Sequence, residues 1–238
     1  MASLKWGNSV NAACAVRSRF VDWEQHAARE EARYQDGWQR LPEEPESRQK
    51  QLVRIAMAAG GVGLARLMQG RLAEAAGWFT RSAERYRESY ELAPPESWGR
   101  LIGAVKARIL AGDWGGAETD ARWALDQRPD ESGSPIGRYA AALAALVLTD
   151  DERASALAAG LGGKPEETFP RPVAEALAGL ASRDADRYAS AVADVLTSFE
   201  TREEYLEDIP VADTALVLEA LAERRGIAVR PRSALLPG

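Results

Sequence analysis

Few side chains in this sequence are equipped for catalysis. His26 is the single histidine and Cys14 the single cysteine. One imidazole cannot build a His-rich metal cluster or a two-imidazole relay. His26 stands in the polar run from Glu24 to Ala27, where a solvated surface position is expected. Cys14 has only Arg17 and Arg19 as basic neighbours and reads as a packed thiol. Gly60-Gly61-Val62-Gly63 has the glycine density of a phosphate loop, but no Lys-Ser or Lys-Thr follows and no strand precedes it. Close helix–helix approach is the expected use of those glycines. Two carboxylate groups remain, Glu203, Glu204, Glu207 and Asp208 in one, Asp150, Asp151 and Glu152 in the other. Aspartate at a helix start serves as a cap and dipole partner. The run Glu203–Asp208, with Tyr205 and Leu206 between its acids, reads as a short solvent-facing helix before Pro210. With no nucleophile–base pair in view, the chain is expected to be no enzyme and to need no metal or other cofactor.

Arginine is placed more regularly. Arg54 shares a helix face with Ala58 and Gly61, Arg100 with Ala104 and Ala107, Arg138 with Ala142 and Ala145, and Arg171 with Ala174 and Ala178. If the helices that carry them stack, these faces form one shallow groove of small residues edged by arginines. Arg100, Arg138 and Arg171 fall near expected helix starts, where a cation opposes the helix dipole. A guanidinium fork matches a carboxylate in bidentate fashion. The expected partner is another protein or peptide, acidic or ending in a carboxylate. Trp98 and Trp78 join the candidate contact residues, because tryptophan often anchors interfaces. The competing expectation is that these arginines pair internally with acids such as Glu96 or Glu175, and that the tryptophans fill space between helices.

The elements that must hold these residues are helices. Leu72, Ala75, Ala76, Phe79, Ala83, Tyr86 and Tyr90 form one stripe of 3.6-residue period, and Phe20, Trp23, Ala27, Tyr34 and Trp38 form another. Tyr188, Val192, Val195 and Phe199 repeat it, as do Val211, Ala215, Leu218 and Ala222. Sustained strand alternation is missing. Short breaks at Gly70, Gly112, Asp150 and Asp184 lie 42, 38 and 34 residues apart, the spacing of stacked two-helix units. The resulting expectation is a single all-α domain over 1–238. It has an N-terminal helix near 11–40, pairs near 48–92, 96–128, 135–161 and 170–200, and a C-terminal helix and docked extended tail over 202–238.

Composition limits the partner classes. Hydrophobic residues make up 46% of the 238-residue chain and charged residues 28%, ordinary for a protein with a real core. The opening MASLKWGNSV lacks a signal-peptide pattern, and no apolar run is expected to span a bilayer. With a lone cysteine, these features point to a soluble, cytoplasmic protein without a membrane partner. Net charge is −6, with 19 basic and 18 acidic residues in 1–130 against 11 and 18 in 131–238. An acidic C-terminal half repels phosphate, so nucleic acid is not an expected partner. Arginine outnumbers lysine 26 to 4, a bias that codon composition in a GC-rich genome accounts for.

Over about residues 52–129 the sequence resembles tetratricopeptide repeats. Gly63, Gly70, Ala75 and Phe79 fall at that family's offsets, followed in the next unit by Gly112, Ala117, Ala124 and Pro129. Its first period is longer than the family's, and Val105 stands where a small residue is usual. The resemblance implies an α-solenoid that binds a protein or peptide as adaptor or scaffold. A weaker resemblance, to all-helical immunity proteins of bacterial toxin systems, is carried by Ala178-Gly-Leu-Ala-Ser-Arg-Asp184, Pro210 and Ala220-Leu-Ala-Glu-Arg-Arg-Gly-Ile-Ala-Val229. It implies neutralisation of a toxin through the acidic C-terminal surface. A third expectation, a small-ligand receptor or enzyme, requires a pocket between helix pairs with convergent polar groups.

Overall fold

One turn, used four times, organises the chain. In the computed structural model, Gly70, Gly112, Thr149 and Arg183 end their helices in the left-handed region, at φ 73°, 69°, 59° and 54°. The next N–H in each case reaches back five residues, Arg71 to the Arg66 carbonyl, Asp113 to Arg108, Asp150 to Ala145 and Asp184 to Gly179, all within 3.1 Å. This closes the helix with a Schellman motif. Asp113, Asp150 and Asp184 then cap the following helix by accepting from the N–H groups of Gly116, Arg153 and Arg187. Stop and start signals sit side by side, so the chain reverses within a few residues.

The structure describes residues 21–163, 165, 168–205 and 208–238, and among these every regular element is helical. The α-helices are α1 (Trp23–Gln39), α2 (Pro45–Met68), α3 (Leu72–Glu91), α4 (Gly99–Leu110) and α5 (Trp114–Asp126). After a short 3-10 turn (Pro129–Ser132) come α6 (Pro135–Val147), α7 (Asp151–Gly162), α8 (Arg171–Ser182), α9 (Ala185–Glu200) and α10 (Asp213–Arg225). The four recurring turns join α2 to α3, α4 to α5, α6 to α7 and α8 to α9. Each helix from α1 to α9 packs on its neighbour in sequence, α4 packs on α6, and α6 on α8. α10 comes back to lie on α4, α8 and α9. α6 is the most enclosed helix, with every residue from Ala140 to Val147 buried. Residues 226–238 are not helical; Leu235 and Leu236 are buried, and the Ala212 N–H donates to the Leu235 carbonyl at 3.0 Å.

Close crossings depend on missing side chains. A Cβ on Gly63 would lie 2.7 Å from the Phe79 ring, one on Gly103 2.6 Å from the Tyr86 ring, and one on Gly179 2.8 Å from the Tyr188 backbone. The glycines of Gly60–Gly63 lie inside α2, where Gly61 faces Ile209 and Glu30.

Several expectations change. An 18-residue window of the 24-residue α2 has a mean hydropathy of 1.2, which by length and composition alone is enough to cross a membrane. Of that window 56% is buried, and α2 packs between α1 and α3 in this fold. Leu72 begins the α3 stripe but is 63% exposed, because it lies in the first turn beyond the reach of the core. Arg202–Tyr205 is irregular rather than helical, and Leu206 and Glu207 fall outside the described residues. Residues 11–20 of the expected first helix, with Cys14 and Phe20, also lie outside them.

Phe79 is 1% exposed, so Phe79→Ala should lower stability by about 3–5 kcal/mol in urea unfolding. Thr149 occupies a position where glycine has no steric penalty, and Thr149→Gly should stabilise the fold by about 1 kcal/mol, read as a higher urea midpoint. An unchanged or lower midpoint would contradict the strain assigned to this turn.

Candidate functional site

The site grows from Gly103. Without a Cβ there, the Tyr86 ring of α3 lies flat against α4, and one turn further along α4 the same face presents Lys106. The Lys106 ammonium donates to Asp213 Oδ2 at 2.5 Å and to Thr214 Oγ1 at 3.2 Å, both in the first turn of α10. An acid at that helix start is favoured by the dipole as well as by the lysine. Tyr139 of α6 completes the polar group, its ring 5.4 Å from that of Phe169. Among the described residues neither Tyr86 nor Tyr139 hydroxyl has a hydrogen-bond partner.

These groups line a cavity of about 770 Å³. Leu64 of α2, Phe79 of α3, Ile102 and Leu110 of α4, and Val195 and Phe199 of α9 supply apolar wall. The 168–173 segment and the connector from α9 to α10 contribute the rest, including Arg202, Tyr205 and Ile209. Arg202 lies over the Phe199 ring, 3.8 Å from its centroid, and forms no ion pair among the described residues.

Burial sets the protonation of this cluster. It pushes the Tyr86 phenol up to about 12, against a smaller downward pull from Lys106. Tyr139 is raised by the same cause. For Lys106, burial acts downward, but the Asp213 and Tyr139 charges and the hydrogen bond to Asp213 outweigh it, and the net direction is up. The cavity therefore holds a charged ammonium and two neutral phenols, all hydrogen-bond donors.

The arginine edge does not assemble. Arg100 donates to Ser89 Oγ at 2.8 Å and makes a short contact with Gln49, tying α4 to α3 and α2. Burial lowers its pKa. Arg138 lies over Gly160 and donates to that residue's carbonyl at 2.9 Å. Arg54 is exposed and, among the described residues, bonds only Gln51 of its own helix. Arg171 is exposed beside Glu175, which is taken by Arg187 at 2.8 Å. None of the four lines the large cavity. The anticipated acidic partners, Glu96 and Glu175, are not theirs either. Arg100 and Arg138 each reach an acceptor on a neighbouring helix, which periodicity within one helix does not disclose.

Trp98 is 7% exposed and belongs to the core. Trp78 is half-buried, edge-on to Tyr34 at 5.2 Å, with Arg81 stacked on it at 4.6 Å. His26 is not freely solvated. It is half-buried against Trp23 with Nδ1 unpartnered, and burial, followed by the Arg29 charge, holds its pKa below the usual value. The acids have structural roles as well: Asp150 caps α7, and Asp151 binds Arg183 and Arg225.

Comparison with protein-family models, curated proteins and solved structures finds no match. Lys106, Asp213, Tyr139 and Thr214 were not singled out from sequence. One signal was available, since Lys106 is one of only four lysines and interrupts the apolar run Leu101–Ala107.

Lys106 and Tyr86 both bind their protons more tightly in the folded chain. Their stabilisation is complete below the ordinary values of 10.0 for tyrosine and 10.5 for lysine, and declines as pH rises through the folded values. Melting temperature should therefore fall between pH 10 and about 12, the window set by Tyr86. Tyr86→Phe should flatten that fall. An identical alkaline profile in the variant would contradict the placement of this phenol.

Proposed function

We propose that this chain is a non-catalytic binding protein, a tetratricopeptide-like scaffold of stacked helix pairs whose half-open cavity receives a small, largely apolar molecule. The observation that carries this is the pair of unpartnered hydroxyls, Tyr86 and Tyr139, which share an apolar-walled cavity of about 770 Å³ with Lys106. Volumes of 300–1,000 Å³ with a few convergent polar groups are typical of ligand sites. The recurring turn and the contacts of α4 with α6 and of α6 with α8 support the repeat character. A peptide adaptor is less well supported. α10 already lies across α4 and α8, and Arg100 and Arg138 are engaged internally.

Diphenylhexatriene, an uncharged hydrocarbon that fluoresces in apolar surroundings, tests the proposal. It should bind saturably with one site per chain. Leu64→Trp, which adds bulk to the wall, should weaken binding at least tenfold, whereas Arg54→Ala on an exposed face should leave it unchanged. Non-saturable uptake, or equal binding by Leu64→Trp, would refute the cavity as a ligand site.

A further inference from the structure

Resting on the reading of the cavity as a ligand site, we infer that its occupant is an apolar monocarboxylate whose head group pairs with Arg202. Among the described residues, the charged side chains that line the cavity are Lys106, Asp213 and Arg202. Lys106 and Asp213 meet at 2.5 Å and neutralise one another. Arg202 forms no ion pair among the described residues. The lining therefore carries one positive charge in surplus, which a single ligand carboxylate balances.

Phe199 fixes that cation in place. Its carbonyl accepts from the Arg202 backbone N–H at 3.3 Å and from the Tyr205 hydroxyl at 2.9 Å, so the segment folds back on the end of α9. Its ring, part of the cavity wall, has the Arg202 guanidinium carbon 3.8 Å from its centroid. Stacking occupies one face of the guanidinium and leaves the N–H groups at its edge for a planar, bidentate acceptor. Arg202 is exposed, so it stands where the cavity opens to solvent, and a carboxylate there escapes the cost of full burial. Leu64, Ile102 and Val195 supply apolar wall for the tail. The polar group of the wall does not oppose an anion, since the Lys106 charge acts more strongly than that of Asp213 at both phenols. Glu203, Glu204 and Asp208 are exposed on the same connector but do not line the cavity. Through water their charges are screened over about 8–10 Å.

The experiment is displacement of diphenylhexatriene from the full chain by three molecules of one length: undecanoate, undecanamide and undecylammonium. Undecanoate should displace the probe at a concentration about fivefold below either of the others, the upper range for a solvent-accessible ion pair. Arg202→Gln should fold and bind the probe as the wild type does, and should bring undecanoate to the level of the amide. Arg202→Lys, which keeps the charge, should retain part of the preference. If undecanamide or undecylammonium equals undecanoate on the wild type, the charge assignment is wrong. If Arg202→Gln keeps the full preference, the cation is not Arg202. Both outcomes leave the cavity itself as a binding site. Failure of the probe to bind the wild type would remove the site and the inference together.

Discussion

The structure depends on how closely its helices can approach one another. Phe79, Tyr86 and Tyr188 each occupy space that a methyl group on Gly63, Gly103 or Gly179 would take. Removing that space would separate helix axes and loosen the packing along both, because interiors are filled to crystal-like density. Alanine has the same role along α6, where residues on all faces are buried between α5, α7, α4 and α8. Small residues here are a packing requirement, and the groove they suggested in sequence is filled by neighbouring helices.

Close packing also governs the charges. Buried ions are tolerated when paired or hydrogen-bonded, and arginine's fork makes several such bonds at once. Asp120, 1% exposed, is held by Arg87 and Arg108 from two different helices. Glu30, fully buried, is held by Arg29 and Arg33. Arg225 joins α10 to the end of α6 through the Leu146 carbonyl and to α7 through Asp151. Much of the arginine content thus ties helices together, whereas Lys106 lines the cavity beside the Tyr86 and Tyr139 hydroxyls, which have no partner among the described residues.

The cavity itself is a consequence of how the chain ends. α10 docks on α4, α8 and α9, and its first turn brings Asp213 to Lys106. The connector ahead of it lays Ile209 against Gly61 of α2. Contacts more than a hundred residues apart in sequence therefore border the half-open space beside α3, α4 and α6. Without α10, Lys106 would have no carboxylate partner among its present neighbours and the cavity would lack one wall.

Local sequence determined the helices. The 3.6-residue stripes, the aspartate caps and the glycines at positions 70 and 112 act over a few residues, so helix type, turn positions and the burial of Phe79, Ala117 and Ala124 could be read directly. The same local code predicted an arginine-edged face from residues 54, 100, 138 and 171, and there it failed. Periodicity says which side of a helix a residue occupies, but not what lies opposite. Arg100 found Ser89 and Gln49, and Arg138 found the Gly160 carbonyl, because those acceptors belong to other helices. Lys106 met Asp213 for the same reason, 107 positions away. Tertiary structure alone decided the site, since the energy of a buried polar group is set by partners that the fold, not the neighbouring sequence, supplies.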